Sequence, residues 1–141
     1  MKTLRNERGA SLIEFVIILI PLLVLLFASI EFGVAGYNKA MLTNASREGA
    51  RAGIRFDAAL AGNRISNADI GQVVQAYCQD HLITFGGAAT PAVTVTKAGN
   101  NAGDSVTVSV TYNYGFLVLQ NLIPGFNSNI TLGAEAVMRM E

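Results

Sequence analysis

The sequence is poor in the residues that most catalytic and metal chemistry draws on. It has one cysteine, Cys78, which excludes an intrachain disulfide framework and a cysteine-rich zinc site. It has one histidine, His81, which leaves most histidine-based catalytic schemes without a partner. Cys78 and His81 are spaced C-x2-H, but two ligands do not make a zinc site, and the expectation is a buried thiol beside a helix-end imidazole. An exposed Cys78 in an oxidising compartment would instead be open to an intermolecular disulfide. No phosphate-binding glycine loop, dinucleotide fingerprint or G-x-S-x-G elbow is present. Asp57, Asp69, Asp80 and Asp104 are scattered, with neither calcium-loop nor paired-carboxylate spacing. The chain is therefore expected to be no enzyme and to need no cofactor or metal.

Charge is scarce too. Only 14 % of the 141 residues are charged, against 51 % hydrophobic, and the mean hydropathy is +0.39. That hydrophobic content excludes a disordered chain. Ten basic residues balance ten acidic ones, so the basic excess that nucleic-acid binding draws on is missing. The length allows one domain of ordinary size.

What the sequence does have is one long apolar run. Residues 15–30 read FVIILIPLLVLLFASI, sixteen residues without a charge, bracketed by Glu14 and Glu31. As a helix it spans about 24 Å of a hydrocarbon core of about 30 Å, and Leu12, Ile13 and the residues from Phe32 to Ala35 complete the span. Glu14 and Glu31 must then sit at the headgroups or be neutralised. Lys2, Arg5 and Arg8 precede the run and favour a cytoplasmic N-terminus, with the remainder across the membrane. Pro21 removes a hydrogen bond from the helix interior, so a kink or unwound turn is expected before it.

Residues 8–15, RGASLIEF, join the basic leader to the apolar run. Gly9 ends the leader, and Glu14 is the fifth residue after it. A cut before Ala10 would leave an ammonium on the first helical turn, and Glu14, at i+4, would face that ammonium or a neighbouring subunit's. A carboxylate there is also favoured by the helix dipole, and pairing offsets the cost of holding it in an apolar core. The segment resembles a type IV prepilin signal, with Gly9 and Ala10 flanking the cleavage point and Glu14 and Phe15 opening the mature helix. Two other fates compete: an uncleaved anchor, and a secretory signal cut after Ala35, for which Gly33-Val34-Ala35 offers small residues.

A second resemblance narrows the family. RGASLIEF, the PLL within the run, IEFG at 30–33 and TNASREGARAG at 43–53 look like TadE-like minor pseudopilins of the tight-adherence (Flp, type IVc) pilus system, and ITLGAEAVMRME fits as the last strand more loosely. Residues 57–128 carry no matching motif. The major pilin of that system is much shorter than this chain. The resemblance implies a single-pass inner-membrane protein with a periplasmic C-terminal domain. It also implies cleavage by a prepilin peptidase and a structural part in pilus assembly. The partners would be other pilins and pseudopilins, the inner-membrane assembly platform and the lipid bilayer, with possible incorporation into an extracellular pilus.

Beyond the membrane the helix is expected to continue to about Phe56, since residues 34–56 lack proline and favour helix. Ala45, Gly49 and Gly53 recur every four residues and would allow another element to approach closely. Arg47, Arg51 and Arg55 recur on a different face as a basic stripe, relieved in part by Glu48 at i,i+3 from Arg51. That stripe would meet acids on a partner subunit, or lipid phosphates if the helix bends back; otherwise it is a solvated face. Residues 57–66 read as a loop, and Ser66 with Asp69 forms a capping-box spacing for a second helix over 67–83. From residue 92 the period changes to two. AVTVTK (92–97) and SVTVSVTYNY (105–114), joined by GNNAGD, predict a hairpin with one buried face. GFLVLQNLIPGF (115–126) reads as a short helix or a crossover, and, if exposed, as a contact for membrane or another pilin. NITLGAEAVMRM (129–140) reads as a third, antiparallel strand. The expected organisation is a leader (1–9), a transmembrane pilin-type helix (10–35) and an α+β domain (36–141). In it the distal half of the helix packs on a small antiparallel sheet of about three strands, with one further helix. The rival reading of function is an adhesin-like binding module on an uncleaved anchor.

Overall fold

The computed structural model describes residues 7–55, 64–85, 87, 88 and 90–141. The leader through Asn6, Phe56, residues 57–63 of the loop expected over 57–66, Gly86 and Ala89 lie outside these residues. The architecture is α+β, in the order α1 (Glu7–Ile54), α2 (Asn67–His81), β1 (Ala92–Lys97), β2 (Ser105–Gly115), α3 (Leu119–Leu122) and β3 (Asn129–Arg139).

The sheet is antiparallel throughout, in the order β1-β2-β3. Its register aligns the apolar residues of all three strands on one face. Val95 pairs with Val108 and Val93 with Val110 on one side of β2. Across β2, Val108 pairs with Ala136, Val110 with Ala134 and Val106 with Met138. The opposite face carries Thr94, Thr96, Thr107, Ser109 and Thr111, the hydroxyl-rich side that period-two alternation predicts. The turn from β1 to β2 is closed by the Asn101 amide donating to Asp104 Oδ2 at 2.8 Å. Gly103 takes a left-handed φ of 94° there, which a side chain would resist.

The apolar face needs a cover, and two helices supply it. The distal half of α1 lies over β2 and β3, and α2 lies alongside α1 and over β1. Val106, Val108 and Val110 of the sheet, Leu42, Ala45 and Ala50 of α1, and Ile70, Val74 and Cys78 of α2 are all fully buried. The helix pair is locked by close approach. A Cβ on Gly49 would stand 2.4 Å from Val74 Cγ2, and one on Gly53 would stand 2.8 Å from Ile70 Cδ1.

α2 begins with the capping box its sequence predicts. The Ser66 hydroxyl accepts from the Asp69 amide at 3.2 Å, and the Asp69 carboxylate accepts from the Ser66 amide at 3.3 Å. It stops at His81, two residues short of the predicted end, for a specific reason. Buried Asn38 on α1 donates from Nδ2 to the Ile83 carbonyl at 2.8 Å and accepts from the Ile83 amide at 3.0 Å. Both backbone groups of Ile83 are taken, so the chain cannot continue as helix.

Of the kink or unwound turn expected before Pro21, the unwound turn is absent. Every residue from Glu7 to Ile54 is α-helical, and what Pro21 removes is the amide partner of the Ile17 carbonyl. Cys78 is fully buried, which closes the intermolecular disulfide reading. His81 is exposed, stacks on Tyr77 at 4.2 Å and has Nδ1 2.8 Å from the Tyr77 carbonyl oxygen.

Candidate functional site

The molecule has two parts of opposite character. The first half of α1 stands clear of the fold. Its most apolar window has a mean hydropathy of 2.9, and none of that window is buried. Leu12, Ile13, Phe15, Ile17 and Ile18 are each 60 % exposed or more. A bare apolar surface of this extent is incompatible with water and calls for an apolar partner.

Gly9 and Ala10 lie near the start of α1, where backbone amides have no intrahelical acceptors, so opening the helix there costs little. Glu14 is exposed on the rod, one turn beyond Ala10, with Phe15 beside it. Among the described residues no salt bridge involves Glu14, which leaves its carboxylate facing outward from an apolar cylinder.

Glu31 ends the bare rod, and the folded part of the chain, not solvent, surrounds its carboxylate. It is 3 % exposed. Its Oε1 accepts from the Leu117 amide at 2.9 Å and the Val118 amide at 2.6 Å, and Oε2 accepts from the Leu119 amide at 3.3 Å. The backbone carbonyl of Glu31 accepts from the Tyr114 hydroxyl at 3.4 Å. One carboxylate thus satisfies consecutive amides at the entrance to α3, whose own N-cap residue, Val118, has no side-chain acceptor to offer. A negative charge against converging N–H dipoles is the favourable sense. Burial pushes the Tyr114 phenol above its ordinary pKa, and the nearby Glu31 carboxylate and Tyr112 add to the shift.

Aromatic rings collect at the same level. Phe116 packs on Phe32 at 5.3 Å, on Tyr114 at 5.3 Å and on Phe126 at 5.2 Å. Phe85, in a left-handed backbone conformation (φ 46°), approaches Tyr114 at 6.5 Å. A cleft of about 440 Å³ opens between the segment around Phe85 and the end of β2. Its described lining holds no Asp, Glu, Lys, Arg, His or Cys. The titratable groups there are Tyr112 and Tyr114, whose phenol pKa values burial raises. Among the described residues no cluster of three or more His, Cys, Asp or Glu could hold a metal.

The small residues and the arginines separate by face. Ala45, Gly49 and Gly53 are buried against α2 and β2. Arg47, Arg51 and Arg55 are exposed, and Arg51 pairs with Glu48 at 3.7 Å in a solvent-accessible contact that contributes little. Because α1 does not break, Arg47 lies about 24 Å beyond Glu31 along the axis. At that distal end Arg64 donates to the carbonyls of Ile54 and Glu141, and Lys97 donates to the Ile65 carbonyl at 2.5 Å. Burial and the neighbouring Arg64 charge lower the Lys97 pKa.

These features define a class of protein: a small α+β domain built on the far half of a helix whose near half is a free apolar anchor. A family model described as TadE-like protein matches residues 9–51, from the end of the leader into the buried Ala45–Gly53 stretch. Over these residues the chain is similar to TadE-like proteins, a likeness that points to the Tad pilus system and its components. Neither a curated protein nor a solved structure matches it. The run ITLGAEAVMRME, now seen as β3, lies outside the matched residues.

Proposed function

We propose that the chain is a minor pilin or pseudopilin that acts structurally, not catalytically, in assembly of a Tad (type IVc) pilus. A prepilin peptidase cuts between Gly9 and Ala10, and the mature helix leaves the bilayer for a bundle of like helices. The observation that carries this reading is the unburied rod with the Glu14 carboxylate exposed on it. In a bilayer the rod meets lipid; in a filament it meets other rods. The new ammonium at Ala10 gives Glu14 the partner it lacks and fixes subunit register.

The positive leader supports an orientation with the folded half in the periplasm. Removing Lys2, Arg5 and Arg8 releases the charge that holds the N-terminus on the cytoplasmic side. With α1 unbroken, the Arg47, Arg51 and Arg55 face stands well clear of the membrane, which favours acids of a partner subunit over lipid phosphates. The partners follow from this mechanism: the peptidase, other pilins, the assembly platform and the bilayer. A secretory cut after Ala35 is disfavoured, because it would remove Glu31 and strip the Leu117, Val118 and Leu119 amides of their acceptor. An adhesin-like module on an uncleaved anchor is the competing function.

Intact mass of the protein recovered from the membrane decides between them. The expected mature chain starts at Ala10. A chain that keeps Gly9, or one that starts at Gly36, would overturn the proposal.

A further inference from the structure

We infer that the Leu117–Leu122 turn and Phe32 form a collar that seats on the surface of the bilayer α1 crosses, so that the domain is docked on lipid and not merely tethered to it. The inference rests on the reading of α1 as a membrane span. From Ala10 to Glu31 the helix rises about 32 Å, close to one hydrocarbon thickness, so Glu31 marks the far interface. The Glu31 carboxylate binds the amides of Leu117, Val118 and Leu119, which fixes that turn at the same height. Leu119 turns inward to the core, but other apolar side chains of the turn and of α1 at this height face outward: Leu117 is 52 % exposed, Leu122 42 % and Phe32 52 %. Ile30, 51 % exposed, makes them continuous with the rod.

Charge distribution selects lipid as the occupant. No Asp, Glu, Lys or Arg occurs between Asp104 and Glu135, a stretch that includes the Leu117–Leu122 turn of the collar. The charged groups of the sheet and its turns, Lys97, Asp104, Glu135 and Arg139, belong to the other end or to the outer face, as the pairing of Gly115 with Asn129 and of Ser105 with Arg139 requires. Phe116, Phe126 and Tyr114 pack behind the turn as a firm aromatic backing. The Glu31 clamp also explains how the turn tolerates that position. Its amides are satisfied internally and need no water.

The chain has no tryptophan, so single substitutions report cleanly. The full chain is reconstituted into phosphatidylcholine vesicles brominated at shallow or deep acyl positions, carrying Leu117→Trp, Leu122→Trp, Ile20→Trp or Val137→Trp. Val137 is 59 % exposed on the outer face of β3 and serves as the aqueous reference. Expected are blue-shifted emission for both collar positions, with shallow bromines quenching them at least about half as strongly as deep bromines quench Ile20→Trp, and little quenching of Val137→Trp. The inference is overturned if Ile20→Trp is quenched while both collar probes behave like Val137→Trp. It is equally overturned by blue-shifted collar emission that ignores bromine and disappears on dilution in lipid, which would assign the collar to a second protein. Absence of quenching at Ile20→Trp itself would remove the membrane span along with the collar.

Discussion

α1 packs closely against α2 and β2, and the same glycine-to-alanine change should have opposite signs on either side of that boundary. In a helix interior, alanine is favoured over glycine by about 1 kcal/mol. At Gly36 a Cβ would meet nothing within 4 Å, so Gly36→Ala should realise most of that gain. At Gly49 it would stand 2.4 Å from Val74 Cγ2 and 3.3 Å from Val108 Cγ1. Both are methyls of β-branched, fully buried side chains, which have few rotamers to retreat into. Overpacking of this kind costs about 1–3 kcal/mol, and the 2.4 Å approach belongs at the upper end. Subtracting the propensity gain leaves Gly49→Ala destabilising by about 2 kcal/mol. Gly53→Ala should fall between, since its closest contact, at 2.8 Å, is Ile70 Cδ1, the mobile end of a longer side chain. For a folded part of this size, about 1 kcal/mol corresponds to about 4–8 °C in Tm. Thermal unfolding in one fixed detergent, followed by circular dichroism, gives the ranking. Stability of Gly49→Ala equal to or above that of Gly36→Ala would refute the packing argument.

Glu31→Ala should cost about 3 kcal/mol, because amides held in a water-poor turn lose their acceptor, whereas Glu31→Gln, which keeps one oxygen, should lose less. Amide hydrogen exchange at Leu117–Leu119 checks this; unchanged protection in Glu31→Ala would show that the clamp is idle. Glu14→Ala should leave cleavage and thermal stability unaltered while piliation falls, so normal pili in that variant would count against ammonium pairing. Gly9→Asp should block processing, and a mature band of ordinary size would contradict the assigned cut. Burial pushes the Cys78 thiol up from 9.0 to about 11. Since the unfolded chain gives up this proton first, stability should fall as pH rises from about 9 to 11, by on the order of 2–3 kcal/mol. Denaturation midpoints across that range should flatten in Cys78→Ala; an equal slope in both proteins would place its origin elsewhere.

How far the sequence discloses this molecule depends on the range of each interaction. Strand alternation is a local pattern, and Val106, Val108 and Val110 define β2 with no knowledge of its neighbours. The Ser66–Asp69 cap is likewise complete within four residues. The register of small residues on α1 states that something comes close, without stating that it is Val74 and Ile70 of α2. The end of α2 is a different case. Nothing near Ile83 forbids another half turn of helix; Asn38, on another element, takes both of its backbone groups. Pro21 reads as a disruption because the rule for proline counts a lost hydrogen bond, and the helix here absorbs that loss within an otherwise regular run.

Glu31 is the most instructive of these. A carboxylate at the edge of an apolar run reads as a group waiting at the headgroups, since its nearest sequence neighbours offer it nothing. Its actual ligands are three main-chain amides of a segment with no charge and no recognisable motif, and amides are the one donor that every non-proline residue carries. No side-chain pattern around residue 117 can announce such a partner. The physical need is visible in the sequence on one side, a charge that cannot stay unpaired in an apolar setting, while the other, a helix entrance at Val118 without a capping side chain, shows only in the fold. Two unmet needs of opposite polarity, each unresolvable within its own stretch of chain, are the signature by which such a contact can be anticipated elsewhere. Here their union sets the height of the folded half on the rod and, with α1 read as a membrane span, where the membrane ends.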